Sequence, residues 1–372
     1  MSISLQNKGL MKTVVAMSVA LMASQFAQAE GISFTTKNGA EAKLYGGVRV
    51  DAAYSIRGTD AVFHDVSTNN GEKVGKLVTT AKLTRLGFDF KAPVEGQEVG
   101  GKIEGDFAGN GEGSKAFRLR HAYMTTGNWL IGQTDSLYGS DNEPSIIDNS
   151  DPVGGDNSDR NVQVRYTMQT TPSTTVAAAL ESQHAAGNDG ATYRIPALSA
   201  NLSQDLAGKG AVSVRGLVVP HHVVALDKTK TGFAVAAGFN YQVAEPAKVM
   251  LDVAYGRGLE SNVGSSGTFA IVDGKYRQNQ YTSVLAGAEF QVAPQLVANV
   301  GYGVLRNDTK SEFAKAQGDK FNKTVYHGFV NAVYSPVKAI DLGVEYGFGQ
   351  RKDVAGKAYK EQAVNVMAKY KF

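Results

Sequence analysis

Alternation constrains this chain more than any other property. About sixteen runs carry apolar side chains at every second position with polar or charged ones between, centred near residues 48, 86, 103, 121, 131, 165, 178, 199, 215, 236, 252, 286, 300, 330, 345 and 367. Successive strand side chains point to opposite faces, so each run is a strand with one apolar and one polar face. The cleanest apolar faces are Leu44, Val48, Val50, Ala52 and Tyr54; Leu86, Phe88 and Phe90; Val162, Val164, Tyr166 and Met168; and Ile340, Leu342, Val344, Tyr346 and Phe348. The opposite faces hold Arg49 and Asp51, Arg85 and Asp89, Gln163 and Arg165, and Asp341 and Glu345. The pattern persists to the last residue, with Val364, Val366, Ala368, Tyr370 and Phe372 on one face.

A soluble sandwich and a wide membrane barrel both alternate, but they bury opposite faces. The chain's beginning separates them. Lys8 and Lys12 precede an apolar run from Val14 to Ala23, and Ala27-Gln28-Ala29 follows, the layout of a secretory signal peptide cut before Glu30. That run is far shorter than a spanning helix of about 20 residues. Met11 opens a compact signal of its own and is a second candidate start. The expected organisation is a cleaved signal peptide at 1–29, a short N-terminal segment at 30–40 and an all-β transmembrane antiparallel barrel of about 16 strands at 41–372.

Connections support closure. Short turns are expected near Ala92-Pro93-Val94, Gly127-Asn128, Thr171-Pro172, Glu245-Pro246, Ala293-Pro294 and Ser335-Pro336, mostly marked by proline, which presets a turn and cannot serve a central ladder. Longer polar connections are expected at Arg57–Leu77, Gly109–Ala116, Asp135–Arg160, His184–Thr192, Pro220–Lys230, Arg257–Tyr276, Arg306–Asn322 and Gln350–Lys360. Short turns on one rim and long loops on the other are the periplasmic and extracellular ends of an outer-membrane barrel, which places the chain in the outer membrane of a Gram-negative bacterium. A closed barrel also leaves no unpaired backbone edge in lipid. The last strand is expected to pair with the strand around Val48.

Charge and composition exclude other classes. The 38 basic and 35 acidic residues become nearly balanced, at a formal +1, once the signal and its two lysines are gone. That removes the basic footprint of nucleic-acid binding. The chain has no cysteine, hence no disulfide framework or thiolate metal site, and no metal or cofactor is expected.

About sixteen strands enclose an aqueous channel, whereas eight can be filled by side chains. Outward apolar parity sends Arg49, Arg85, Lys102, Arg118, Arg120 and Arg165 into the lumen, with Asp51, Asp89, Glu104 and Asp106. Later strands send in Asp252, Glu289, Asp341 and Glu345 against Arg215, Lys369 and Lys371. The longest connection, 135–160, carries Asp135, Asp141, Glu143, Asp148, Asp151, Asp156 and Asp159, with Tyr138, Pro144, Ile146, Ile147, Pro152 and Val153 as apolar footholds. It is expected to fold against the inner wall as a constriction loop opposite the arginines. Trp129, Tyr123 and Tyr166 are expected in the interfacial girdle.

The stretches Phe117-Arg118-Leu119-Arg120-His121-Ala122-Tyr123, Leu130-Ile131-Gly132-Gln133-Thr134, Ile147-Asp148 with Asp151-Pro152-Val153-Gly154, and Val162-Gln163-Val164-Arg165-Tyr166 resemble the DcaP-like family of outer-membrane porins. The match is specific over residues 81 to 183 and architectural elsewhere. The resemblance implies a homotrimeric sixteen-stranded diffusion channel for small hydrophilic solutes, with anions such as dicarboxylates favoured. It also implies pore-lining roles for Arg118, Arg120 and Arg165 and a constriction role for the loop from Asp135 to Asp159. Members of that family can carry a helical, coiled-coil extension before the barrel, and Glu30 to Ala40 holds no heptad. Expected partners are outer-membrane lipid, lipopolysaccharide and, through the terminal Phe372, the barrel-assembly machinery.

The alternative function classes are an outer-membrane hydrolase and an adhesin barrel acting through its loops. Of the six histidines, His121 has outward parity, His64, His184, His221 and His222 fall in or beside loops, and His327 alone has clear inward parity. No nucleophile motif or paired-carboxylate spacing accompanies them, so no enzyme is expected.

Overall fold

The computed structural model describes residues 31–109, 116–140, 142–148, 153–154, 159–183, 190–259 and 267–372; the signal segment 1–29 lies outside the described residues. The strands begin with β1 (Ile32–Thr35), β2 (Glu41–Gly58), β3 (Glu72–Thr80), β4 (Arg85–Val94), β5 (Gln97–Gly109), β6 (Ala116–Thr126) and β7 (Trp129–Asp135). They continue with β8 (Arg160–Thr171), β9 (Thr174–Glu181), β10 (Ala191–Thr192), β11 (Ala197–Asp205), β12 (Gly210–Val223), β13 (Lys228–Ala244) and β14 (Ala247–Arg257). A hairpin of β15 (Phe269–Val272) and β16 (Lys275–Gln278) follows, then β17 (Gln280–Ala293), β18 (Leu296–Asn307), a short helix α1 (Glu312–Gln317), β19 (Asn322–Val337), β20 (Ile340–Asp353) and β21 (Ala358–Lys371).

Nineteen of these strands form one antiparallel sheet that closes on itself. β3 and β4 pair with successive halves of β2 and make one stave, and β10 extends β11 along β12. With β1 set aside, sixteen staves remain, each bonded to its sequence neighbour. β2 and β21 close the ring as expected, with Val48 opposite Tyr370 and Ala52 opposite Val366. Val48, Val50, Tyr54, Val366 and Tyr370 are exposed on the outer face, whereas Asp51, Ala53, Ser55 and Asn365 are buried inside. Trp129 and Tyr166 meet edge to face on the outer face with centroids 4.8 Å apart, beside the Gly127-Asn128 turn.

β1 solves an edge problem. β21 reaches only Gly47 on β2, and β1 folds back to pair Ile32 with Leu44 through Thr35 with Glu41, covering the edge that remains. At the junction Gly46 and Phe372 exchange two backbone hydrogen bonds, of 2.9 and 3.2 Å, and the Phe372 ring lies over Gly46. Deleting Phe372 removes both bonds and the terminal aromatic. The expected result is a lower yield of barrel in the outer membrane, with unchanged conductance from the molecules that insert; an undiminished membrane yield would refute it.

Several expected boundaries move. Pro93 and Pro336 lie within strand ends, and the turns are Glu95-Gly96 and Lys338-Ala339. β2 pairs with β4 only as far as Lys91, so the missing N–H of Pro93 faces no ladder, and Pro336 occupies a register shift. Glu95 and Gly96 both have positive φ, as two-residue hairpin turns require, and so do Ala207 and Gly208 in a seventh short turn that carries no proline. Two expected long loops are tight: β12 and β13 pair through Pro220, leaving a four-residue link, and β20 and β21 pair to Lys352 and Ala358. Pro220 falls where β12 has no neighbour between its pairings with β10 and β11, so the strand survives it. β3 likewise shortens the first long loop to residues 59–71.

Candidate functional site

The strands from β2 to β8 build a charged inner wall. Arg85 lies 3.2 Å from Glu104, Arg118 lies 2.6 Å from Asp106, and Arg120 bridges the two carboxylates at 3.1 and 3.2 Å. The Tyr45 hydroxyl donates to Glu104 at 2.8 Å. Arg49 pairs with Asp51 and Lys102 with Asp89. Arg165 donates to Gln163 and to the Asp135 carbonyl, while Arg160 takes the Asp135 carboxylate at 3.0 Å. The two partners are not equally exposed. Arg85 and Arg118 keep 39% and 35% of their side-chain surface, against 6% for Glu104 and 0% for Asp106. The carboxylates sit behind the guanidinium groups, so solvent in the lumen meets the positive ends.

A β-bulge produces part of this density. Glu104 pairs with His121 and Gly105 with Leu119, which leaves Arg120 as the extra residue. Two residues then oppose one, and both Arg120 and His121 turn inward. The expected outward parity of His121 is therefore corrected: its Nδ1 lies 3.0 Å from Thr134 Oγ1, and Tyr123, expected in the girdle, also faces inward beside Lys102. Gln133 donates from the outer face to the carbonyls of Leu119 and Arg120 that the bulge frees from the ladder.

Below the arginines, toward the short-turn rim, a cavity of about 420 Å³ is lined by Lys43, Arg49, Arg85, Lys102, Lys369 and Lys371 against only Asp89 and Glu104.

The loop after Asp135 lies along the other half of the wall, from β12 round to β20 and β2. Asn240 donates to Asn142 at 2.7 Å, and Ser140 donates to Asp252 at 2.6 Å. Asn331 donates to the Ser145 carbonyl, and Glu345 accepts the backbone N–H groups of Ile147 and Asp148 at 2.8 and 2.9 Å. Arg49 donates to the Ile147 carbonyl at 2.6 Å. Apolar contacts accompany these bonds: Leu137 packs on Ala177 and Ala179, Tyr138 on Val219 and Ala234, and Val153 on Val66, Leu305 and Val325. Gly287 and Gly303 permit the close approach, since a Cβ there would strike the Pro144 ring or the Val153 carbonyl.

Among the described residues the loop acids do not converge. Asp135 pairs with Arg160, Asp148 is buried against His64, and Asp159 gives its carbonyl to the Ser136 N–H. Glu143 is part-buried, while Asp141, Asp151 and Asp156, with the foothold Pro152, lie outside the described residues. The sequence places His64 only in a loop, yet it links three segments. Its Nε2 is 2.9 Å from Ser55 Oγ on β2, and its Nδ1 is 2.8 Å from the Asp148 carboxylate. Parity places Glu345 inward but does not mark it as a loop anchor. Asn331 and Asn365, which donate to it, sit at buried inward positions of apolar strands, and that was the available signal.

Comparison with known proteins agrees with this architecture. The DcaP outer membrane protein family matches residues 5–372. The crystal structure of the outer membrane channel DcaP of Acinetobacter baumannii is 40% identical, covers 91% of this chain and 99% of its own, and superimposes with a TM-score of 0.86. The chain belongs to the DcaP family. This DcaP-family protein is thus an outer-membrane porin of a Gram-negative bacterium. The barrel alone is shared with an anion-selective porin from Comamonas acidovorans, at 14% identity, TM-score 0.62 and coverage of 90% and 100%. Salmonella typhi OmpF is similar in the same sense, at 10% identity, TM-score 0.63 and coverage of 92% and 100%. No curated protein matches the chain.

Proposed function

We propose that this porin passes small hydrophilic anions, with dicarboxylate-sized solutes guided between the arginine wall and loop 135–160, which acts as the constriction. The observation that carries this reading is the unequal exposure of the Arg85–Glu104 and Arg118–Asp106 pairs, guanidinium outward and carboxylate behind. A permeating anion can exchange water for arginine, while a cation finds Glu104 and Asp106 already covered. The acids of the loop that pair with Arg160 and His64 add little opposing charge. The cavity of Lys43, Lys102, Lys369 and Lys371 continues the same field toward the short-turn rim.

Reconstitution in a planar bilayer under a tenfold KCl gradient tests this. The expected reversal potential has the sign of anion selectivity and a size below the ideal limit of about 59 mV. A potential of cation sign would overturn the selectivity, and an absence of conductance steps would overturn the open channel.

We read the chain as a channel without catalytic activity. Ser55, His64 and Asp148 have the order of a hydrolytic triad, but the Ser55 hydroxyl belongs to a residue with no exposed surface. No acyl group can reach it, and the chain of hydrogen bonds acts as a strut. Purified protein is expected to leave p-nitrophenyl esters unhydrolysed; turnover abolished by Ser55→Ala would reverse this. Assembly as a homotrimer is proposed through the outer face of β2 to β6, where Ala52, Ala92 and Ala122 keep the wall low.

A further inference from the structure

One basic feature of the barrel has no part in the lumen. On the long-loop rim, Thr282 of β17 pairs with Arg306 of β18, Arg306 with Thr324 of β19, and Thr324 with Lys352 of β20. All four share outward parity, and Arg306 and Lys352 are exposed. Arg257 stands one step higher on β14, opposite Gln280, and Lys323 is the exposed extra residue of the bulge between Asn322 and Thr324. Neighbouring strands lie about 4.8 Å apart, so Arg306 and Lys352 are separated by about 10 Å across the sheet. None of these four cations has a hydrogen bond or ion pair among the described residues, in contrast to Arg85, Arg118 and Arg120 of the inner wall. Three nearby carboxylates are committed elsewhere: Asp308 accepts the Lys310 N–H, Asp353 is buried and accepts the Lys357 N–H and the Tyr359 hydroxyl, and Glu312 pairs with Arg277.

Depth gives the row its meaning. Immediately toward the barrel middle on the same strands lie Tyr302, Tyr326 and Phe348, with Tyr302 and Tyr326 centroids 5.9 Å apart. Aromatic rings of this kind mark the level where hydrocarbon gives way to headgroups. The unpaired cations therefore sit at headgroup height on the extracellular side. At the opposite end of β17 to β20 the outward residues are Phe290, Val292, Tyr334 and Ile340, with no such basic row. A device for solubility alone would not favour one leaflet.

We propose that Arg257, Arg306, Lys323 and Lys352 form a docking surface for the phosphorylated glycolipid of the outer leaflet. The phosphates lie over Arg306 and Lys352, the hydroxyls of Thr282 and Thr324 lie between them, and the acyl chains run down the aromatic and aliphatic face below. Phosphate is the matching chemistry because, among the described residues, each cation has free donors and no carboxylate partner. This inference is independent of solute selectivity.

The test is lipid binding by purified protein in detergent, read by native mass spectrometry with bisphosphorylated lipid A, dephosphorylated lipid A and phosphatidylglycerol as probes. Bisphosphorylated lipid A is expected to be retained and the other two lost at matched concentration. Arg306→Gln with Lys352→Gln should weaken retention by about 30-fold, at roughly tenfold per 1.4 kcal/mol and about 1 kcal/mol per headgroup-level cation. Conductance of the double variant should match the parent. Equal retention of dephosphorylated lipid A by the unaltered protein would overturn the proposal without recourse to any variant. Equal retention of phosphatidylglycerol would overturn the glycolipid assignment, and an unchanged affinity of the double variant would overturn the site.

Discussion

Replacing Glu345 with alanine is expected to enlarge the channel. Glu345, only 1% exposed, is where loop 135–160 is held to the wall. It accepts the N–H groups of Ile147 and Asp148 from the loop, and the side-chain amides of Asn331 and Asn365 hold it in place at 2.8 and 3.3 Å. Alanine leaves two buried loop donors without an acceptor, at about 1 to 3 kcal/mol each. A loss of about 2 to 6 kcal/mol moves the docked-to-undocked ratio by between one and four powers of ten. Single-channel conductance should rise, its current noise should increase, and larger neutral sugars should enter the pore. Glu345→Gln, which keeps one carbonyl acceptor, should fall between parent and alanine. If both variants fold, as heat-modifiable migration would show, and conduct like the parent, loop 135–160 does not form the constriction.

Neutralising Arg118 and Arg120 together is expected to move selectivity toward cations by more than the loss of two charges suggests. Both arginines shield Asp106, which has no exposed side-chain surface, and Arg120 also reaches Glu104. In Arg118→Gln with Arg120→Gln, two positive groups disappear and a previously covered carboxylate loses both its cations. The inner wall then presents Asp106 to the lumen. Under a tenfold salt gradient the reversal potential should cross zero within the limits of about 59 mV on either side. A potential unchanged from the parent would show that permeating ions do not approach this part of the wall. Either arginine changed alone should give a smaller shift, because the other still covers Asp106.

Strand number, parity and ring closure are legible in the sequence because lipid and water demand opposite chemistry on the two faces of every strand. Asp51 and Val50 could not exchange sides without cost, and the same holds along β20 and β21. Turn positions are less legible. Proline marks them only where the backbone lacks a partner strand anyway, as at Pro93, while the Ala207-Gly208 turn depends on positive φ that its residues barely announce. The expected positions of His121 and Tyr123 fail because strict period two carries no warning of an inserted residue. The anchoring of the loop by Glu345 and His64 depends on contacts across 198 and 84 residues of chain, which no local pattern encodes.

The bulge at Arg120 also changes what evolution can do with this wall. Loss of a single residue from an ordinary barrel strand would slip its register and turn every later side chain to the wrong medium. Here the surplus residue is already accommodated, so removing codon 120 would restore a regular hairpin while Leu119 and Ala122 keep their outward faces. One inward cation could thus be gained or discarded by insertion or deletion without rebuilding the barrel, making this position a natural dial for the charge of the passage.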